Sequence, residues 1–211
     1  MSTAAPSFDA LFGALFTTLD TVYGMEGEAL RITEGGLFLA TPIDVVAEAI
    51  VTLVGRGHFA EGSRILDAGS GDGRIALALA SVGRGFRVYG VECDASLHAR
   101  ALSSTSGCNA SAMPRLAMGD YFMNDVFHDL GVRFSEVDTF FHYPDGNESR
   151  LFERIASEGK PGAMLVLLSP ELRNPIAHPL SAEMRIEPRV SPSGVAWFAR
   201  MYEPARIRAR T

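Results

Sequence analysis

The stretch Arg64-Ile65-Leu66-Asp67-Ala68-Gly69-Ser70-Gly71-Asp72-Gly73-Arg74-Ile75-Ala76-Leu77-Ala78-Leu79-Ala80 constrains this chain more than any other. It opens on a short apolar run, Ile65-Leu66, which reads as the end of a buried strand. An acid, Asp67, stands just before three glycines at alternate positions. Arg74 to Ala80 then supplies good helix formers. The order is strand, tight turn, helix. Without a Cβ, the glycine backbone can take positive φ and come close to a ligand. The first-turn N–H groups of the helix point into the same crevice.

The spacing narrows the ligand. A dinucleotide fingerprint needs G-x-G-x-x-G. Counted from Gly69, its third glycine falls on Arg74. A phosphate-binding P-loop needs Lys-Ser or Lys-Thr after its glycines, and none follows. The pattern is D-x-G-x-G-x-G. An acid at the mouth suits a ligand with positive charge, or with hydroxyl and amine donors, better than a pyrophosphate.

This stretch resembles motif I of class I S-adenosylmethionine-dependent methyltransferases. The resemblance implies an α/β, Rossmann-like fold: a seven-stranded mixed sheet with the last strand antiparallel, helices on both faces, and an N-terminal helical extension. It implies S-adenosylmethionine as cofactor and S-adenosylhomocysteine as product. It lays the turn of Gly69, Ser70, Gly71, Asp72 and Gly73 against the ligand's methionine and ribose parts, with Asp67 placing the amino group.

Phe86 to Val91 alternates and reads as the second strand, ending at Glu92. A carboxylate at the end of that strand in a nucleotide-binding α/β fold accepts hydrogen bonds from ribose hydroxyls. Cys93 is grouped with it as cofactor-binding, and Asp94 caps a helix over 95–106. Arg115 to Met118 reads as the third strand, and Gly119-Asp120-Tyr121-Phe122 follows. The resemblance implies that Asp120 bonds the adenine exocyclic amine and that the backbone of Tyr121 reads a ring nitrogen. Thr41-Pro42 opens a helix that continues through Ile43, Val46, Ala47, Ile50, Val51 and Val54 at helical spacing. It resembles the Tyr-x-x-Thr-Pro opening of several methyltransferase families, with Phe38 at the aromatic position. Thr41 reads as the N-cap of that helix, and either serves as cap alone or, as the resemblance implies, also contacts the methionine end of the ligand.

Val137 to Phe141 reads as the fourth strand and runs into His142-Tyr143-Pro144-Asp145-Gly146. Ligands of open α/β sheets sit beyond the carboxyl ends of the strands, so the methyl group and its acceptor meet here. His142 or Asp145 can take a proton from an acceptor hydroxyl. Tyr143 can stack on a substrate or direct a hydroxyl at the methyl group. Asn-Pro-Pro-Tyr and Asp-Pro-Pro-Tyr, found in enzymes acting on planar nitrogens, are absent. Further on, Glu148 to Glu158 reads as helix, Ala163 to Leu168 as a strand covered on both faces, and 183–190 with 195–202 as a closing hairpin around Ser191-Pro192-Ser193-Gly194.

Ahead of the core, Phe8, Leu11, Phe12, Leu15, Phe16, Leu19, Val22 and Tyr23 recur at helical spacing, with Ser7 as N-cap and Gly24 as stop. This stripe packs on the domain, covers the acceptor as a lid, or forms a homodimer contact. Residues 25–36 read as loop. The division is residues 1–36 as N-terminal helical extension and 37–211 as methyltransferase core, and the arginine-bearing tail reads as frayed.

Bulk composition sets limits. The net charge of −6 argues against a nucleic-acid acceptor and against an anionic membrane surface. Cys93 and Cys108 form neither a metal pattern nor a disulfide framework, so no metal is assigned. The N-terminus carries Asp9 and no basic region, unlike a secretory signal, and no apolar run spans a bilayer. The expected setting is cytoplasmic. The expected activity is methyl transfer to a protein side chain or a small molecule. The alternative is a non-catalytic sensor or partner subunit that holds S-adenosylmethionine or S-adenosylhomocysteine. Aminopropyl transfer on the same fold is a third reading, with Asp145 its only support.

Overall fold

The computed structural model describes residues 7–24, 31–33, 36–106, 113–170, 178–190 and 196–204. Its centre is a seven-stranded sheet in the order β5-β4-β3-β6-β7-β9-β8. The strands are β3 (Arg64–Ala68), β4 (Arg87–Glu92), β5 (Arg115–Met118), β6 (Thr139–His142), β7 (Met164–Pro170), β8 (Ala182–Ile186) and β9 (Trp197–Tyr202). From β5 to β7 every pairing is parallel. β9 inserts antiparallel between β7 and β8. The expected mixed sheet, with its last strand antiparallel, is present.

Parallel strands are covered on both faces, and their residues alternate between two cores. Ile65, Phe141, Val166 and Leu168 face one side. Leu66, Ala68, Phe140, Leu165 and Leu167 face the other. Phe140 and Phe141 are fully buried, and burying each contributes about 1.5–3 kcal/mol.

The first face is covered by α1 (Phe8–Tyr23), α2 (Ile43–Gly55) and α3 (Arg74–Ser81). α2 is apolar on nearly every side because it is enclosed: α1, α3 and β8 all pack on it. Of its two buried acids, Asp44 accepts hydrogen bonds from the Val45 and Val190 N–H groups and Glu48 pairs with Arg189. α1 buries Phe12, Leu15, Leu19 and Tyr23 in this core and leaves Phe8 41% exposed. Ser7 accepts from the Ala10 N–H, and Gly24 ends the helix at φ 65°. The second face carries α5 (Asp125–Leu130) and α6 (Glu148–Glu158). α4 (Ala95–Thr105) packs on β4 and β5, its N-terminus capped by the Asp94 carboxylate.

Several boundaries differ from expectation. The fourth strand begins at Thr139, because Asp138 turns its carboxylate onto the Arg64 N–H at the start of β3. It ends on His142, which pairs with Ala68 and Leu167. Within the stretch read as loop, β1 (Arg31–Thr33) pairs antiparallel with β2 (Gly36–Phe38). α5 was not expected; it is a short helix between the third and fourth strands. β7 runs on through Pro170, paired with β9 to its end. β8 stops at Ile186, short of Val190. Thr41 is not the N-cap of α2: Pro42 holds that place, with no side-chain cap bond. Cys108, the Ser191–Gly194 turn and the arginine-bearing tail lie outside the described residues. No helix among the described residues is long and apolar enough to cross a membrane.

Candidate active site

The carboxyl ends of β3, β4, β5 and β6 open on one cavity of roughly 320 Å3, a size within the range of small-molecule sites. The turn between β3 and α3 forms its floor. Gly69, Gly71 and Gly73 have φ of 77°, 54° and 84°, conformations that only glycine takes without strain. The Gly69 and Ser70 N–H groups both bond the Val91 carbonyl at 2.9 Å, tying the turn to β4. Gly71 is required twice over, since a Cβ there would stand 2.4 Å from the Phe38 ring. Phe38 also lines the cavity, so it closes over the turn from the β1–β2 side.

Four carboxylates meet at this floor. Asp67, at the end of β3, is 2% exposed, and its Oδ2 has no hydrogen-bond partner among the described residues. Burial pushes its carboxyl well above the usual range; the Ala76 N–H opposes this, while the Glu92 and Asp72 charges add to it. Glu92, at the end of β4, is buried. Its Oε2 accepts from the Gly71 N–H at 2.7 Å and its Oε1 from the Asp94 N–H at 2.8 Å. Asp72 is held by Arg74, and Arg74 Nη1 also bonds the Thr41 carbonyl at 2.6 Å. Thr41 itself is buried and lines the cavity. Asp120 lies beyond β5, its Oδ1 accepting from the Phe122 N–H at 2.8 Å.

The far wall is built from the β5 and β6 ends. Tyr121 is buried with its hydroxyl unpartnered among the described residues; burial first, then the Asp145 and Asp120 charges, push its phenol far up. Its ring meets the His142 ring edge-on at 5.7 Å. His142 is 2% exposed. Its Nδ1 is 2.8 Å from the Ala68 carbonyl oxygen, which can only accept, so Nδ1 carries a proton. Its Nε2 is 3.2 Å from Asp145 Oδ1 and is left without a well-formed hydrogen bond among the described residues. Burial raises the Asp145 carboxyl, but the His142 ring and the Asn147 N–H outweigh it and leave the group below its ordinary value. Tyr143 and Arg150 complete the wall, and Arg150 lies over the Phe122 ring at 3.8 Å. Cys93 is an exposed free thiol on the rim; burial and the Glu92 charge push it up.

The structure thus brings most of the expected residues around one cavity, with Thr41, Asp67, Gly69, Ser70, Asp72, Glu92 and Asp120 toward the floor, Cys93 on the rim and Tyr121, His142, Tyr143 and Asp145 at the far wall; Gly71 and Gly73 shape the turn without lining the cavity. Sequence reasoning passed over four others. Arg74 was read only as a helix former, although an arginine one residue past an acidic glycine turn is a signal for such a clamp. Tyr23, whose hydroxyl bonds the Asp72 carbonyl at 2.9 Å, Arg150, and Glu148, whose carboxylate lies beside His142 and Asp145, carry no local signal.

The donor set fits an S-adenosyl ligand. An orphaned, buried carboxylate oxygen surrounded by negative charge is completed by a cation or an N–H donor. The α-amino group of such a ligand is both.

Sheet order, the lone antiparallel strand and the glycine turn define the class I S-adenosylmethionine-dependent methyltransferase fold, and this chain has that fold. An RNA methyltransferase from Salinibacter ruber, solved with S-adenosyl-L-homocysteine, is 23% identical; the match has a TM-score of 0.53 and covers 77% of this chain and 92% of that one. A Thermoplasma acidophilum protein is 14% identical, with a TM-score of 0.56 and coverage of 92% and 97%. The mitomycin 7-O-methyltransferase is also 14% identical, with a TM-score of 0.53 and coverage of 77% and 55%. No protein-family model and no curated protein matches the chain.

Proposed function

We propose that this chain is a methyltransferase using S-adenosylmethionine. One observation carries the reading: the buried Asp67 Oδ2, without a partner, beside a turn of three positive-φ glycines. Bound there, S-adenosylmethionine supplies a methyl group activated on a sulfonium sulfur. Asp67 receives the ligand's ammonium group. Glu92, already oriented by two backbone N–H groups, receives the ribose hydroxyls. Asp120 and the Tyr121 backbone meet the adenine. Thr41 stands near the methionine end, and the walls exclude water and align the reactants.

His142, Tyr143 and Asp145 face the acceptor. The acceptor is a small molecule, a protein side chain or an RNA nucleotide; RNA joins the set because an RNA methyltransferase shares the fold. Helix α1 of the extension 1–36 serves as a packing element, because Phe12, Leu15, Leu19 and Tyr23 are buried within its own chain. The free thiol of Cys93 fits a reducing, cytoplasmic setting.

The test is calorimetric titration with S-adenosylmethionine and S-adenosylhomocysteine, on wild type and on Glu92→Gln. Saturable binding, weakened about tenfold or more in the variant and hence by about 1.4 kcal/mol, supports the reading. Failure of folded protein to bind either ligand refutes it. Binding without turnover over an acceptor screen that includes RNA, protein and small hydroxyl compounds leaves a sensor.

A further inference from the structure

The far wall holds more than a histidine–aspartate contact. His142, Asp145 and Glu148 each offer one ligand atom, and these atoms lie within 4.8 Å of one another. They come from the last residue of β6, the loop after it and the first residue of α6. The geometry points to a divalent metal site here, with His142 Nε2 and one oxygen each from Asp145 and Glu148 as ligands.

Three features favour an ion over a simple dyad. His142 is nine-tenths buried and more, and its Nε2 finds no hydrogen bond among the described residues although Asp145 Oδ1 is 3.2 Å away. A buried ring nitrogen left without a hydrogen bond beside a carboxylate suits a shared third atom. The other ring nitrogen donates to the Ala68 carbonyl at 2.8 Å, the arrangement that fixes tautomer and ring plane in metal-binding histidines. The two carboxylates are steadied by their own loop. Asp145 accepts from the Asn147 N–H and Glu148 from the Gly146 N–H, both at 2.8 Å.

Metal–ligand bonds of about 2.0–2.2 Å let ligands stand up to roughly 4.2 Å apart. Small carboxylate rotations therefore close the set. One imidazole with two carboxylates suits first-row ions such as Mn2+, Co2+ or Zn2+. Three protein ligands leave coordination positions open, and His142 and Asp145 both line the cavity. The open positions take an oxygen of the acceptor.

That substrate class, a hydroxyl compound, rests on the methyltransferase reading; the ion site does not. A hydroxyl bound to the ion gives up its proton to solvent. Its oxygen then forms the new bond to the methyl carbon as the carbon–sulfur bond breaks. Sulfur keeps the bonding pair and becomes a neutral thioether.

The test is titration of the chelator-treated full chain with Mn2+ followed by spin resonance, and with Co2+ followed by its visible absorption, with an S-adenosylhomocysteine titration run in parallel. Saturable binding of one ion, weakened at least about tenfold in both Glu148→Gln and His142→Gln, supports the site. Glu148 is only partly buried, so its variant tests the site even if His142→Gln does not fold. Absence of saturable binding by folded protein, or unchanged affinity in Glu148→Gln, overturns the site. If S-adenosylhomocysteine still binds, the methyltransferase reading survives that loss. If the ion binds and S-adenosylhomocysteine does not, the ion site stands and the transferase reading falls.

Discussion

Arg74 grips Asp72 twice across one turn of chain, Nε to Oδ1 at 3.0 Å and Nη2 to Oδ2 at 2.6 Å. Both side chains are almost wholly buried. The same guanidinium bonds the Thr41 carbonyl and lies over the Tyr23 ring at 5.1 Å. One side chain thus joins the glycine turn, the segment before α2 and the end of α1.

Breaking this pair strands a buried charge. Arg74→Met leaves the Asp72 carboxylate without its partner and is expected to cost about 3–5 kcal/mol, whereas removing both charges costs much less. Urea unfolding of Arg74→Met, Asp72→Asn and the double variant checks this. Equal destabilisation by the single and double variants would show that a stranded charge is not what costs stability.

Gly71 has no room for a side chain. Gly71→Ala places a methyl group against Phe38 and sets alanine at φ 54°. The turn must shift, and the Gly71 N–H leaves Glu92. Affinity for S-adenosylhomocysteine is expected to fall by about tenfold or more, roughly 1.4 kcal/mol, with a smaller loss of stability. Calorimetry beside thermal melting separates the two effects.

Asp67 makes ligand binding depend on pH. Its carboxyl is held above its unfolded value of about 3.9, chiefly by burial. Between the unfolded and folded values the native state holds the extra proton, so the ligand-free protein loses stability as pH rises through that window and levels off above it. An ammonium ligand needs the carboxylate. Its affinity therefore rises with pH over the same window, and binding releases a proton. In Asp67→Asn the pH dependence of both quantities is expected to flatten, and ligand affinity to stay low throughout. Titration in buffers of different ionisation heat counts the released protons; an uptake of protons would reverse the assignment.

Leu19 tests the standing of α1. It is fully buried against α2 and α3. Leu19→Ala is expected to destabilise the whole domain by about 2–5 kcal/mol. A helix that opens as a lid would give almost no change in the unfolding midpoint.

The glycine spacing made the floor of the site legible before any coordinates. Asp67, the turn and Glu92 sit near one another along the chain and follow from local rules of strand, turn and helix. The far wall was less legible. Its strand was placed too early, which put His142 in a loop, whereas pairing to Ala68 and Leu167 makes it part of the sheet. That one-position difference decides the chemistry, because only a sheet-bound His142 can reach the Ala68 carbonyl. The tie from Tyr23 to Asp72 crosses 49 positions, and that from Arg154 to the Tyr121 carbonyl crosses 33. Contacts of that span are set by packing and leave no periodic trace. The Thr41 cap failed for a local reason: proline at the cap position left the threonine one residue outside the helix.

Glu92 holds the Gly71 N–H with one oxygen and the Asp94 N–H with the other. The turn and the start of α4 are therefore drawn together in the chain by itself, before any ligand arrives. Most of the ordering entropy that a floppy glycine loop would lose on association is lost already during folding. Association should then resemble the docking of a rigid key, with backbone amide exchange in the turn slow even in the ligand-free protein.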